Sequence, residues 1–287
     1  IAAWQPEQGL LWVHLNRDSD DTRQWLETQS GLDPLVAEAM LAESTRPRCA
    51  QMDGGVMLFL RGVNLNPGAD PEDMVSIRLW IEDTRIISIR LRRLLSIDDL
   101  RASLDQGRGP TSAGDFVVAL SDRLASRMGG VIADIDDEVD HLQDQVLEAE
   151  SRQLLTELNK LRRVIIALRR YLAPQRDAIS RMTHLKVTWI DERDLLQLRE
   201  EADRITRYVE DLDAARERAA VTQEELGNRL SEQLNSRMYV LSVVAAIFLP
   251  LGFLTGLFGI NVGGIPMSES PQGFIDILLL LLLITVI

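Results

Sequence analysis

Two apolar runs near the end of the chain dominate its pattern of hydrophobic positions. The first, Met238 to Phe258, is uncharged over twenty-one residues, close to the ~20 that a helix needs to cross a bilayer. The second begins at Phe274 and continues to Ile287. A loop rich in Gly, Pro and Ser, residues 259–273, separates them. The pattern predicts a transmembrane hairpin in residues 237–287, with helices over about 238–258 and from about 274, the second truncated at 287.

Residues 1–110 show the periodicities of a mixed α/β domain. Apolar runs of strand length alternate with segments of helical spacing. The predicted strands are 10–15, 56–65, 75–81 and 85–91, and the predicted helices are 20–30, 34–43 and 96–104. Ser96 is the expected N-cap of the last helix. The breaker cluster Gly107 to Gly114 is the expected domain boundary.

Residues 111–236 are predicted to form a long-helix funnel and stalk. Apolar positions recur every three or four residues over 117–146 and again from Ser151 to Pro174. A third helix begins near Glu192 and is expected to run for more than sixty residues into the membrane. The fold class is therefore an α+β membrane protein with an N-terminal α/β domain, a helical stalk and two C-terminal transmembrane helices.

The first two long helices carry opposite charge. Residues 133–150 hold eight carboxylates and no Lys or Arg, whereas residues 151–186 hold nine basic side chains against two acids. An antiparallel pair would set one helix against the other. The acidic run is then a solvated face neutralised by its neighbour, or alternatively a binding region for divalent cations.

Composition narrows the possible functions. The chain has 31 basic and 44 acidic residues, for a net charge of −13. Nucleic-acid binding is not expected from such a charge, whereas enrichment of cations near the protein is. One cysteine and three dispersed histidines provide no metal-ligand spacing, so no metal site is assigned. No catalytic motif is present, and we expect no enzyme and no cofactor.

One face of the third helix is polar or small almost throughout, over about nine turns. At alternating steps of four and three it carries Glu224, Asn228, Ser231, Asn235, Met238, Ser242, Ala245, Leu249, Gly252 and Gly256. Such a face predicts the lining of an aqueous path. Close helix packing through the small residues explains its second half equally well. Two helices cannot enclose a pore, so the pore interpretation requires a homo-oligomer.

Charged flanks predict the orientation in the membrane. Arg229 and Arg237 precede the first apolar run, whereas the loop contains one acid, Glu269, and no basic residue. Basic flanks stay in the cytoplasm, so the N-terminal domain and the C-terminus are expected inside and the loop outside. A ring of Glu269 would attract cations at the outer mouth, or the side chain is inert.

The segment FLPLGFLTGLFGIN, which ends in Gly259-Ile260-Asn261, resembles the first membrane helix and Gly-x-Asn signature of the CorA superfamily. Phe258, Ile260 and the following GGIP resemble its ZntB-like zinc transporter branch, as do LWVHL, SGLDPL, STRPRC and YLAPQRDA. The Mg²⁺-transporting branch usually has Tyr and Met at the first two of these positions.

The resemblance implies a homopentamer in the bacterial inner membrane that moves divalent cations through an axial pore. Zn²⁺ is the implied cargo, with Co²⁺, Ni²⁺ and Cd²⁺ as further candidates. Asn261 would form the outer ring that meets the hydrated ion, and Gly259 and Ile260 would shape its turn. Met238 and Leu249 would be apolar constrictions. The family often has Thr where Gly252 stands, so one polar ring is missing here.

The chemistry of this path predicts transport of a hydrated ion. Zn²⁺ without its water shell prefers His and Cys, which the path lacks. Selectivity among Zn²⁺, Co²⁺ and Ni²⁺ should therefore be loose. ZntB-like transport is thought to be proton-coupled, and Asp276 or Glu269 is the candidate proton site. Alternatives are a Mg²⁺/Co²⁺ channel of the CorA type and a membrane-anchored coiled-coil receptor or scaffold without transport.

Overall fold

The computed structural model describes residues 4, 5, 7, 9–148, 152–260 and 270–286. The chain forms two compact units, Ile1–Gln223 and Glu224–Ile287. Along the described chain the elements are β1 Leu11–Asn16, α1 Asp20–Thr28, α2 Pro34–Leu41, β2 Arg48–Met52, β3 Gly55–Gly62, β4 Val75–Ile81, β5 Arg85–Arg90, α3 Leu95–Asp105, α4 Ala113–Glu148, α5 Arg152–Met182, α6 Glu192–Gly259 and α7 Gly273–Val286.

The five strands form one mixed sheet in the order β1-β5-β4-β3-β2. β1 runs parallel to β5, and the other neighbours are antiparallel. β3 and β4 are buried along nearly their whole length, because helices cover both faces of the sheet. The four predicted strands are present. β2 was not predicted, since this short edge strand lacks an apolar run and pairs only with β3.

Helices pack on the two faces of the sheet in layers. Phe59 and Met57 of β3 belong to the core beneath α1 and α2, together with Met40. On the other side α4 and α5 contact β3. A Cβ at Gly62 would lie 2.8 Å from Leu124 Cδ2 of α4, so glycine is needed for this close approach.

Two predicted helix boundaries are wrong. Ser96 does not cap α3, which begins at Leu95 after Leu94. Its buried hydroxyl instead donates to the carbonyl of Arg123, 3.3 Å away, and so joins α3 to α4. Pro174 does not end α5. The loss of one helical hydrogen bond there is accompanied by a tertiary one, since the Arg61 N–H donates to Gln175 Oε1 at 2.6 Å.

The acidic part of α4 forms its ion pairs with α6 rather than with the basic helix α5. Arg218 of α6 contacts Asp136 and Asp140 of α4. Within the described ranges no ion pair joins α4 to α5. The expectation that α5 neutralises α4 therefore has no ion pair behind it in the described ranges and stays a prediction. The two helices do contact one another, and each has a buried apolar side, which includes Leu142 on α4 and Leu158 on α5.

α6 begins at Glu192, as predicted, and spans 68 residues. It is the one helix in the described part of the chain long and apolar enough to cross a membrane. α7 is apolar over 14 residues, which is shorter than a bilayer crossing requires. The N-terminal α/β region and the long helix are thus confirmed, whereas the number of membrane helices stays a prediction.

Candidate functional site

The ten positions of the predicted polar stripe lie on one continuous helix, and all ten are exposed in the single chain. Leu249 is 74% exposed and Met238 61%. The apolar residues on the other faces are similarly open, for example Tyr239 at 71%. The exposed fraction of a side chain therefore does not by itself distinguish a pore face from a lipid face. It shows only that the described residues of this chain cover neither face of α6.

Hydroxyl groups along this helix donate to its own backbone. Ser242 Oγ donates to the Met238 carbonyl at 2.8 Å, and Ser231 Oγ donates to the Gly227 carbonyl at 2.9 Å. Each hydroxyl thereby places its single proton on the helix and keeps oxygen lone pairs for other donors. Such oxygens can accept hydrogen bonds from the water shell of a cation.

Within the described residues, the two glycines of the stripe have no close packing neighbour. A Cβ added at Gly252 or Gly256 would meet no atom within 4 Å. Close packing through this pair therefore has no partner among the described residues.

α7 lies beside α6 on a different side from the stripe. A groove of about 460 Å³ separates the two helices and is lined by Phe248, Leu251, Gly252, Thr255, Leu278, Leu281, Leu282 and Thr285. The half-buried positions of α6 here are Ile247, Leu251, Leu254 and Phe258. With 3.6 residues per turn, they lie almost opposite Ala245 and Leu249. Gly252 lies at the edge shared by the groove and the stripe.

The outer turn is described in part. Gly259 ends α6, and Ile260 is 48% exposed. Asn261 and Glu269 lie outside the described residues. Asp276 is in the first turn of α7 and is exposed. Its backbone N–H donates to the Gln272 carbonyl at 3.1 Å.

An acidic cleft in the N-terminal unit was missed by sequence reasoning. Its volume is about 550 Å³, and the carboxylates that line it are Asp115, Asp122, Asp191, Asp194, Glu200 and Glu201. The first two come from α4 and the others from the start of α6 or just before it. Residues about seventy positions apart converge there only through the tertiary fold, so no local motif could have revealed the cleft.

Most of these carboxylates have hydrogen-bond or ion-pair partners within the fold. Asp194 and Asp191 cap the start of α6, where the Asp194 N–H donates to Asp191 Oδ1 at 2.7 Å. Arg204 lies 2.7 Å from Asp122 Oδ1 and 2.5 Å from Glu201 Oε1. Burial raises the pKa of both Asp194 and Glu201. In the part of the chain described, no three His, Cys, Asp or Glu side chains are placed to hold a metal ion.

The comparisons with known proteins identify the family. A family model described as CorA-like Mg²⁺ transporter protein matches residues 7–287. The chain belongs to this CorA-like family. Membership confirms the predicted resemblance to the CorA superfamily.

Two CorA-like relatives are similar over nearly the whole chain. The divalent cation transporter CmaX of Pseudomonas aeruginosa is 42% identical over 272 residues, which are 94% of this chain and 81% of CmaX. The zinc transport protein ZntB of Pectobacterium carotovorum is 37% identical over 273 residues, 95% of this chain and 83% of ZntB. Both are named as transporters, which confirms the expectation that the chain is not an enzyme.

Two solved structures share the fold. The full-length CmaX protein has a TM-score of 0.83 at 41% identity, and covers 96% of this chain and 85% of its own. The ZntB cytoplasmic domain of Vibrio parahaemolyticus has a TM-score of 0.70 at 26% identity, with 77% and 88% covered. The CorA-like chain thus has the family fold along almost its entire length.

Proposed function

We propose that this CorA-like chain is one subunit of a divalent-cation transporter of a bacterial inner membrane, with Zn²⁺ as its main cargo. The observation that carries the proposal is the near full-length similarity to proteins named divalent cation transporter and zinc transport protein. Co²⁺, Ni²⁺ and Cd²⁺ are further cargo. Mg²⁺ is the second candidate, because the matching family is described by that ion.

The ion path runs along the polar stripe of α6, from Glu224 to Gly256. One stripe cannot surround an ion, so several copies place their stripes around a common axis, and we propose a homopentamer. All ten positions are exposed in the single chain, and both glycines face open space, so neighbouring copies have access to this face. Met238 and Leu249 are the apolar constrictions, and Gly259, Ile260 and Asn261 form the outer mouth.

The proposed topology has two membrane helices per subunit, the first over about 238–258 and the second from about 274. Residues 1–110 form the cytoplasmic α/β domain, 111–236 the funnel and stalk, and 237–287 the membrane hairpin. The solved cytoplasmic domain named ZntB, which covers 77% of this chain, supports the placement of the large N-terminal part inside. Arg229 and Arg237 support the same orientation through their basic charge.

Ions move through this path with their water shell. Between Met238 and Phe258 the chain has no His, Cys, Asp or Glu, which are the ligands that dehydrated Zn²⁺ binds. Backbone-anchored hydroxyls and amide oxygens accept hydrogen bonds from coordinated water instead. Selectivity among divalent transition-metal ions is therefore weak. Direct coordination of Zn²⁺ by two or more side chains in this segment would contradict this mechanism.

Proton coupling, if present, uses an acid at the membrane edge, namely Asp276 or Glu269. Carboxylates in such positions are often functional. Asp276 lies in the first turn of α7 and is exposed in the single chain. Replacement of each by Asn or Gln tests the assignment, because uptake that keeps its pH dependence in both variants contradicts it.

Flux into proteoliposomes tests the function. The full chain is reconstituted, and uptake of Zn²⁺, Co²⁺, Ni²⁺ and Mg²⁺ is measured with and without a pH gradient. We expect divalent uptake that Asn261→Ala reduces by at least about tenfold, since one ring of ion-facing amides is lost. Val244→Ala, on the proposed lipid side, is the control and should transport normally. Absence of flux for all four ions, or equal flux in both variants, would contradict the proposal.

A further inference from the structure

An acidic face lies on the outer side of α4. Past Arg127 this helix has no Lys or Arg, and its exposed side chains include a row of carboxylates. We call this row the acidic face, and its members are Asp134, Asp137, Glu138 and Asp144. These positions lie opposite the buried side of the helix, which carries Ile135, Val139 and Leu142.

A basic face lies on the outer side of α5. Exposed cations continue along this side from Arg152 to Arg181, and we call the central three, Lys160, Arg163 and Arg170, the basic face. Ile166 lies among them and is 51% exposed.

Neither face is neutralised within the chain. The α4 carboxylates that form ion pairs farther round the helix are Asp136 and Asp140, both with Arg218. On α5 the arginines that pair are Arg169, with Asp213 at 2.6 Å, and Arg176, with Asp177 at 2.8 Å. Within residues 9–148 and 152–260 no member of either face forms an ion pair.

Each face also brings like charges together. Asp134 and Asp137 are three residues apart on one helix, as are Lys160 and Arg163. Like charges at this spacing are neighbours and destabilise a helix by some tenths of a kcal/mol. A partner of opposite charge would offset this repulsion on both helices.

The two faces match in length and direction. Asp134 to Asp144 spans ten residues, as does Lys160 to Arg170, or about 15 Å of helix in each case. α4 and α5 run antiparallel, because Met128 Sδ lies 3.9 Å from Gln175 Nε2 while residues 148 and 152 are close in sequence.

Rotation about an axis along the helices keeps that antiparallel relation between α4 of one copy and α5 of the next. Asp134 can then lie opposite Arg170 at the same time as Asp144 lies opposite Lys160. Because the ends of the two charge rows match in spacing, one alignment satisfies both pairs.

We propose that the acidic face of one subunit binds the basic face of the next subunit in the oligomer. The contact is heterologous, since each copy contributes a different face to its two neighbours, and repetition of such a contact closes a ring. It rests on the oligomer put forward under the proposed function. Ile166 forms its apolar centre, and the flanking ion pairs set the register.

Charge reversal with rescue tests this contact in the detergent-solubilised full chain. The basic triple K160E/R163E/R170E and the acidic triple D134K/D137K/D144K are each compared with their six-fold combination. Light scattering coupled to size exclusion gives the protein concentration at which half of the oligomer dissociates. The control E38K/D53K/D105K changes net charge as the acidic triple does, at exposed residues of the N-terminal unit.

We expect each triple to raise the dissociation concentration by about tenfold or more, since three attractive pairs become repulsive. The combination should restore the wild-type value, and the control should leave it unchanged. High salt should weaken the wild-type oligomer as screening shortens the Debye length.

Three results would overturn the contact. In the first, either triple leaves the dissociation concentration unchanged, and in the second, the six-fold combination dissociates as readily as each triple. In the third, the basic triple weakens binding to vesicles of anionic lipid and has no effect on the oligomer. A wild-type chain that is monomeric would instead contradict the oligomer of the proposed function. The two failures are therefore distinguishable.

Discussion

The two units of the chain differ in how far they bury their own apolar side chains. In Ile1–Gln223, Phe59 is 1% exposed and Ile77 fully buried. In Glu224–Ile287, Phe253 is 68% exposed and Leu249 74%. Beyond Leu226 no hydrophobic side chain in the described residues is buried. The first unit buries its own apolar side chains, whereas the second leaves them exposed, as the proposed membrane hairpin and oligomer would require.

This difference separates stability from function along the sequence. Substitutions in the first unit should change the free energy of unfolding, because its side chains have partners within the chain. Substitutions in the second should change transport with little effect on the folding of the first unit. The predictions below test that separation, beginning with the largest expected effect.

A bulky residue on the stripe should block transport. Ala245→Trp places an indole on the proposed pore face, and flux in proteoliposomes should fall by at least about tenfold, because a narrow path is closed. The neighbouring Val244→Trp, on the proposed lipid side and 44% exposed in the single chain, should transport normally. Equal flux in the two variants would remove the distinction between the faces.

Truncation of a core aromatic residue should destabilise the first unit strongly. Phe59→Ala leaves a cavity between the sheet and α2, and should cost about 3–5 kcal/mol of unfolding free energy. Chemical denaturation followed by circular dichroism measures it. Leu35→Ala, at a residue 66% exposed, should change the same quantity by less than about 0.5 kcal/mol. A similar cost at both sites would mean that the core is not packed as described.

His14 should make the stability of the first unit depend on pH. Burial, followed by the charge of Arg90, lowers the pKa of His14 from 6.5 to about 4, and Arg90 Nε donates to His14 Nε2 at 3.0 Å. Between these pH values the unfolded chain binds a proton that the folded chain does not, so stability falls as pH decreases.

We expect this contribution to reach about 2 kcal/mol by pH 4. His14→Gln should lose less stability than the wild type over the same pH range, as measured by urea unfolding at each pH. Parallel pH profiles for the two proteins would show that His14 is protonated equally in both states.

The ion pair between Arg218 and Asp136 should contribute least to the free energy of unfolding of the first unit. Its side chains are 37% and 50% exposed, and exposed pairs are worth about 0.2–1 kcal/mol. A double-mutant cycle with Arg218→Ala and Asp136→Ala measures the coupling. A coupling energy well above this range would mean that this ion pair stabilises the packing of α4 on α6 strongly, and that the acidic part of α4 is not simply a solvated face.

Local patterns predicted most of the fold, and the failures have physical causes. β3, β4 and the start of α6 at Glu192 have strong periodicity and were predicted. β2 was not, because an edge strand needs an apolar residue at few positions. Ser96 was assigned by its local preference for a helix N-cap, but its hydroxyl donates to the Arg123 carbonyl of α4 instead. Pro174 was assigned by its local preference for a helix end, but α5 continues through it.

The candidate site likewise has one part that local sequence patterns predict and another that only the tertiary fold assembles. The stripe on α6 follows from helical spacing alone, because all of its residues belong to one element. The acidic cleft combines Asp115 and Asp122 with residues near Asp194, and only the packing of α4 on α6 brings them together. The Asn261 ring stays a prediction, since it rests on the Gly-x-Asn resemblance and on residues outside those described.

Cysteine accessibility along α6 tests the central claim most directly. Cys49 is the only cysteine and is buried, so Cys49→Ala provides a background for single cysteines from residue 238 to residue 256. In reconstituted protein, a membrane-impermeant thiol reagent should label and block the cysteines at Ser242, Ala245, Leu249 and Gly252. Cysteines at Val244, Phe248 and Leu251 should stay unlabelled. Labelling without helical periodicity, or none at the stripe in a protein that transports, would contradict an ion path along this face.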